Sequence, residues 1–213
     1  MNLLVLGDVH GCVHTLKAFV KMHWNRQDEF LILVGDILNK GNHSGKAIKY
    51  LRKLQKEFPY SVFILRGNHE QLAVDAHKAA ELPAYLEKLK RNLLKHGMSA
   101  KRVFHWMEHL PIKWENPYVL ITHAGVALHA RDAFNIHSSR GVLHNRSTLK
   151  NVGKLQVYGH VIQEGGQAHF DPVAQAWGID TGAWRGGGLT GIRMQRTGEL
   201  IEILREPTHD ADL

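Results

Sequence analysis

Two aspartates, one asparagine and three histidines stand as candidate metal ligands in five short strings along this chain. The strings are Gly7-Asp8-Val9-His10-Gly11, Gly35-Asp36, Gly67-Asn68-His69-Glu70, His123-Ala124-Gly125 and Gly159-His160. Carboxylate, amide and imidazole donors in this mixture suit hard or borderline divalent cations, and six of them suffice for a two-metal hydrolytic centre. Asp36 has two carboxylate oxygens and can bridge two cations. Two cations about 3.5–4 Å apart acidify a shared water, so no serine or cysteine nucleophile is required. The same cations neutralise charge on a phosphoryl group in flight. His69, between Asn68 and Glu70, is well placed to protonate a leaving oxygen. Any one string alone reads as turn chemistry, since Gly-Asp and Gly-Asn pairs are common in turns. Five in order, each after an apolar run, do not.

Those apolar runs are the elements that must carry the donors. Stretches rich in Val, Ile and Leu predict strands at Asn2–Leu6, Phe30–Val34, Ser61–Leu65, Tyr118–Thr122, Leu155–Tyr158, Ala176–Ile179, Leu189–Gln195 and Leu200–Leu204. Helical periodicity predicts helices at Val13–Trp24, Ser44–Phe58, Glu70–Glu81, Ala84–Lys95 and Ala100–His109. Early strands alternate with helices, whereas late strands follow one another across short turns such as Arg196-Thr197-Gly198. The pattern implies an α/β sandwich of two mixed sheets with helices outside. One domain over residues 1–213 is expected, with the helical stretch 71–110 as a possible cap beside the site. Ala183–Gly188 reads as a loop between strands, and the polar tail after Pro207 as frayed.

Composition narrows the class. No segment approaches the roughly 18–20 uninterrupted apolar residues of a membrane span. The first residues lack a basic region and a small-residue cleavage site, so no signal peptide is expected. Cys12 is the only cysteine, which excludes an internal disulfide and fits a reducing cytoplasm. The net charge of +7 favours anionic partners such as phosphoesters, with nucleic acid not required. No Walker-type loop and no dinucleotide-type Gly-x-Gly-x-x-Gly after a strand is present. Histidines outside the five strings, His14, His43, His144 and His209 among them, read as surface or packing residues.

The ordered set resembles the signature of the phosphoprotein phosphatase family within the calcineurin-like metallophosphoesterases. The likeness runs from Asp8 to Ile179-Asp180-Thr181-Gly182 and Leu189-Thr190. It implies a four-layer αββα sandwich. It also implies that Asp8, His10 and Asp36 hold one metal and that Asp36, Asn68, His123 and His160 hold the second, with His69 as proton donor. The metals would be divalent, Mn²⁺ first, with Fe, Zn or Ni as alternatives. Arg66 matches the family's Arg-Gly-Asn-His-Glu, where it is not the main phosphate ligand. Arg146 matches a downstream phosphate-binding arginine, with Arg131 and Arg140 as rivals.

One departure bears on substrate. Protein phosphatases of this family usually read Gly-Asp-x-x-Asp-Arg-Gly in the second motif, and here it is Gly35-Asp36-Ile37-Leu38-Asn39-Lys40-Gly41. Asn39 can hydrogen-bond the catalytic imidazole but brings no charge, so the imidazolium is less favoured. Lys40 keeps a positive charge for phosphate without the bidentate fork of arginine. An Asn-Lys pair resembles the branch related to diadenosine tetraphosphatases, while chain length resembles the small bacterial and phage protein phosphatases. The leading expectation is a protein serine/threonine phosphatase-like phosphomonoesterase acting on a phosphorylated protein or peptide. The alternative is a dinucleoside polyphosphate hydrolase, and a catalytically impaired metal-binding scaffold ranks last.

Overall fold

Continuous apolar runs become strands buried on both faces. In the computed structural model, which describes residues 1–81 and 83–213, strand β1 (Asn2–Leu6) alternates its side chains between two cores. Leu4 and Leu6 face the helices, and Leu3 and Val5 face a second sheet. Strand β2 (Glu29–Leu33) repeats this with Leu31 and Leu33 against Ile32. Complete burial of each such side chain contributes about 1.5–3 kcal/mol. With β3 (Val62–Ile64), these strands form a parallel triplet. The antiparallel pair β9 (Leu189–Met194) and β10 (Leu200–Glu206) completes a sheet in the order β10-β9-β1-β2-β3.

The second sheet, ordered β4-β5-β6-β8-β7, is also mixed. Its parallel triplet is β5 (Val119–Thr122), β6 (Leu155–Tyr158) and β8 (Ala176–Gly178). The edge strands β4 (Lys113–Glu115) and β7 (His169–Asp171) were not among the expected strands. Each has three residues with one central aromatic and polar flanks, too short for a period to register. Ile32, Val34, Ile121, Val157, Ile179 and Ile192 fill the space between the two sheets. Two mixed sheets flanked by helices are thus the observed architecture, with the segment 124–152 lying over Leu120 on the second sheet's outer face.

Helices α1 (Val13–His23), α2 (Ser44–Glu57), α3 (Asn68–Lys78), α4 (Ala84–Lys95) and α5 (Ala100–Glu108) share one core with the first sheet. Helix α3 begins two residues earlier than its apolar pattern indicates. Gly67 is extended at the N-cap, and Glu70 reaches back so that its Oε2 accepts from Gly67 N at 2.8 Å. Asn68 and His69 therefore stand in the first turn of a helix. Leu86, Leu89 and Leu93 of α4 join the same core, which leaves α4 alongside His69. Leu82, inside the expected 71–110 stretch, lies outside the described residues.

The tail after Pro207 is ordered rather than frayed. Helix α1 has no side-chain cap of its own at Cys12. Asp212 supplies one, its carboxylate accepting from His14 N at 3.2 Å, Thr15 N at 2.8 Å and Thr15 Oγ1 at 2.8 Å. His14, His43 and His209 gather around this strap, with the His14 ring 5.3 Å from each of the other two. The Ala183–Gly188 loop holds a short 3-10 turn at Ala183–Arg185.

Candidate functional site

Five strand ends deliver the donors to one place. Asp8 and His10 follow β1, Asp36 follows β2, Asn68 follows β3, His123 follows β5 and His160 follows β6. All five strands are members of the two parallel triplets, whose C-terminal edges are where sheets of this kind gather ligands. The backbone is bent hard to aim these side chains. Among the described residues, His10, Asp36, Asn39, Lys40 and His160 are five of the seven non-glycine residues in the left-handed region. Such strain clusters at functional sites. Two glycines make room for it. A Cβ at Gly159 would run into the Asp8 carboxylate, and one at Gly67 into the Asp36 carboxylate.

Asp36 stands between two sets of imidazoles. Its Oδ2 is 3.5 Å from His10 Nε2 and 4.0 Å from His69 Nε2, and its Oδ1 is 3.5 Å from His123 Nε2. Asp8 Oδ2 lies 3.9 Å from His10 Nε2. His10 Nδ1 donates to Leu38 O at 3.0 Å and His123 Nδ1 to Val34 O at 3.1 Å. These bonds place the ring proton on Nδ1 and turn a bare Nε2 toward the site. Burial reinforces the neutral form. It lowers His10 to about 3 and pushes His123 well below the ordinary range. His160 falls to about 3, through burial first and then Arg146.

Neutral rings bring lone pairs into conflict. His123 Nε2 and Asn68 Oδ1, both acceptors in this arrangement, face each other at 2.9 Å. The Nδ1 of His160 is 3.0 Å from the same oxygen, and its buried Nε2 has no hydrogen-bond partner among the described residues. Burial also raises the carboxyls. Asp8 is raised by burial and then by Asp180, and Asp36 by burial and then by Glu70. Converging acceptors, buried acids and an orphaned imidazole nitrogen together form a donor set with no protein donor to satisfy it among the described residues. The donor set of oxygen and imidazole nitrogen therefore fits divalent metal.

His69 has a different environment. Asn39 Nδ2 and His69 Nδ1 are 2.9 Å apart, so the amide occupies the far side of the ring while Nε2 faces the site. Burial, then Lys40, then Arg146 lower this imidazole to about 4. Lys40 and Arg146 line the same pocket of about 300 Å³ as His10, Asp36, Asn68 and His160. Arg131 and Arg140 line a separate depression with Asp132. Arg66 does not line the pocket. It ties β3 to the end of α5 by donating to Glu108 O at 2.6 Å, Leu110 O at 3.0 Å and Gln71 Oε1 at 2.7 Å.

Four residues at the site had no role assigned from sequence. The Glu70 carboxylate, fully buried, accepts from Asp36 N, Ile37 N and Gly67 N, each at 2.8 Å. It thereby fixes the loop that carries Asp36. Asp180 follows β8 as the other acids follow their strands, lines the pocket and accepts from Gly182 N at 2.9 Å. The strand-then-Asp pattern at Ile179-Asp180 was the available signal. Trp184 and Arg185 come from the glycine-rich loop. The Trp184 ring lies 4.8 Å from Lys40 Nζ and 4.6 Å from the Arg185 guanidinium, at the pocket wall.

The family model described as calcineurin-like phosphoesterase matches residues 1–180. Among curated proteins, the serine/threonine-protein phosphatase 1 of Salmonella typhimurium is 26% identical over 210 residues, covering 91% of this chain and 92% of that protein. The symmetrical bis(5'-nucleosyl)-tetraphosphatase of Buchnera aphidicola is 27% identical over 133 residues, covering 60% of this chain. The chain spans about half the length of that relative, 45% of it. Among solved structures, the cold-active protein-tyrosine phosphatase of a Shewanella species superposes with a TM-score of 0.67 at 17% identity. That match covers 98% of this chain and 80% of the other.

Proposed function

Since the chain belongs to the calcineurin-like phosphoesterase family, we propose that it hydrolyses phosphomonoesters with two divalent cations, in the manner of a protein serine/threonine phosphatase. The observation that carries this reading is Asp36, one carboxylate with an imidazole nitrogen 3.5 Å from each oxygen. Asp8, His10 and Asp36 would hold one cation, and Asp36, Asn68, His123 and His160 the other. When bound there, the pair supplies Lewis acidity to the phosphoryl group and to an attacking water. We assign Mn²⁺ as the resident ion, with Fe, Zn and Ni as alternatives.

The remaining residues orient and protonate. Lys40 and Arg146, both lining the pocket, direct positive charge at phosphoryl oxygens. His69 holds a proton at Nε2 for the leaving oxygen while Asn39 steadies Nδ1. Glu70 and Arg66 keep the β2 and β3 loops in register with this geometry. The proposal takes residues 1–213 as a single domain in a reducing cytoplasm.

A second reading, hydrolysis of dinucleoside polyphosphates, is favoured by the Asn39 contact to His69. A neutral amide makes the imidazolium scarcer, and a nucleotide leaving group needs less help from an acid than a serine alkoxide. Turnover with Mn²⁺ of a phosphoserine peptide, an aryl phosphate and diadenosine tetraphosphate separates the readings by kcat/KM. Preference for the peptide supports the first, and strong preference for the dinucleotide replaces it with the second. Asp36→Asn should weaken both cation sites and abolish turnover. Retained activity in that variant would remove the two-metal assignment.

A further inference from the structure

Among the described residues, two groups of three potential metal donors lie apart from the pocket around Asp36. His105, Glu108 and His109 sit together at the end of α5, at a spacing that any helix brings to one face. Glu108 is already paired with Lys78 at 2.5 Å, and His109 Nδ1 donates to His105 O at 2.7 Å. The other group is assembled by the fold. His14 comes from the first turn of α1, His43 from the N-cap of α2 and Asp212 from the C-terminal tail. One donor atom of each lies within 4.8 Å of the other two.

The hydrogen bonds around this group leave lone pairs for a cation. His43 Nε2 donates to Ala211 O at 2.8 Å, which puts the ring proton on Nε2 and leaves Nδ1 bare. Imidazoles that ligate metal are commonly held in this way, with a carbonyl on the far nitrogen. Asp212 Oδ2 is taken up by Thr15 N and Thr15 Oγ1, whereas Oδ1 accepts only the longer bond from His14 N at 3.2 Å. Burial lowers His14 against the pull of Asp212, and His43, Lys46 and His209 lower it further, so its ring is neutral. His209 spends Nδ1 on Ala211 N at 3.0 Å and stays beside the group rather than in it. Two imidazoles and one carboxylate suit a borderline cation such as Zn²⁺ better than a hard one such as Mn²⁺. Zinc bonds of about 2.0–2.2 Å set donors about 3.5 Å apart, so the three need to close by only about 1 Å. We propose that His14, His43 and Asp212 form a second metal site, separate from the Asp36 centre, which takes a borderline divalent cation and clamps the tail onto α1 and α2. The site stands whether or not the other centre hydrolyses phosphoesters.

Equilibrium dialysis of the full chain against Zn²⁺, followed by elemental analysis, tests it. His14→Gln and His43→Gln replace half-buried side chains that line neither the Asp36 pocket nor its neighbour. Each variant should bind one zinc fewer than the parent, and Asp36→Asn should keep that zinc. Equal zinc content in the parent and both variants would overturn the proposal. Hydrogen exchange reads the clamp directly. Zn²⁺ should slow the amides of residues 209–213 by about tenfold or more in the parent and leave them unchanged in His14→Gln. Zinc bound without slower exchange would overturn the site, because Asp212 would then not be a ligand. Equal slowing by Mn²⁺ would overturn the preference for a borderline cation. Melting of the metal-free variants separates a lost ligand from a lost fold, and should one of them melt early, the other decides.

Discussion

At the scale of single residues, the contact between Asn39 and His69 governs how much proton the leaving group receives. His69 is lowered to about 4 by burial, Lys40 and Arg146, and Asn39 offers no charge to oppose them. Asn39→Asp would place an anion 2.9 Å from Nδ1 and raise the imidazole. Position 39 is left-handed, a conformation that Asp tolerates about as well as Asn, so the change carries little strain. Rates on alkyl phosphates should rise by about tenfold and those on aryl phosphates by less than about twofold, read as kcat/KM for the two classes. An equal gain for both would show that His69 is not the acid. The donors themselves were legible because metal chemistry restricts residue type and each stood after an apolar run. Asp180 and Glu70 were less legible for opposite reasons. Asp180 carries the same strand-end signal but outside the five strings, and Glu70 acts through backbone amides that no residue pattern reveals.

At the scale of elements, the site is held by loops that the strands and helices pin from outside. Glu70 joins the N-terminus of α3 to the loop after β2 through three backbone amides. Glu70→Ala would strand those buried donors and should cost about 3–5 kcal/mol, or about 10 °C in Tm for a chain of this length. It should also weaken metal binding, because Asp36 loses its support. Unchanged stability would show that water replaces the carboxylate. Asp212 does similar work at α1. Its removal as Asp212→Ala should cost the metal-free chain about 1–2 kcal/mol, a Tm drop of a few degrees, with metal affinity at the Asp36 centre unchanged. Strands β1 and β6, five and four residues long and mostly apolar, were legible to the residue. The three-residue strands β4 and β7 were not, since they are specified by neighbours that only the fold brings alongside. The tail after Pro207 looked frayed for a related reason. Its composition is polar, but its polar groups serve an α1 terminus nearly two hundred residues away in sequence.

At the scale of the whole molecule, folding gathers carboxyls that only a cation makes comfortable, and this couples metal to protons. Asp8 and Asp36 are raised by burial and by their acidic neighbours, so the metal-free site retains protons above the ordinary carboxylate range. The histidines do not add to this. His10 and His160 are lowered to about 3, hence already neutral at working pH. A divalent cation therefore displaces protons from carboxyls rather than from imidazoliums. The sign is definite. A raised folded-state pKa means that the native chain binds more protons than the unfolded one in that window. Metal-free stability from these acids is thus lost as pH rises through the raised values, and metal affinity grows over the same interval. The rise in Tm produced by a fixed concentration of Mn²⁺ should accordingly be larger near pH 8 than near pH 5.5, by several degrees. Titrations in two buffers of different ionisation enthalpy should register proton release, and Asp8→Asn should reduce the number released. Proton release that is insensitive to Asp8→Asn, together with a Tm gain independent of pH, would place the titrating groups elsewhere and detach the buried carboxyls from the metal centre.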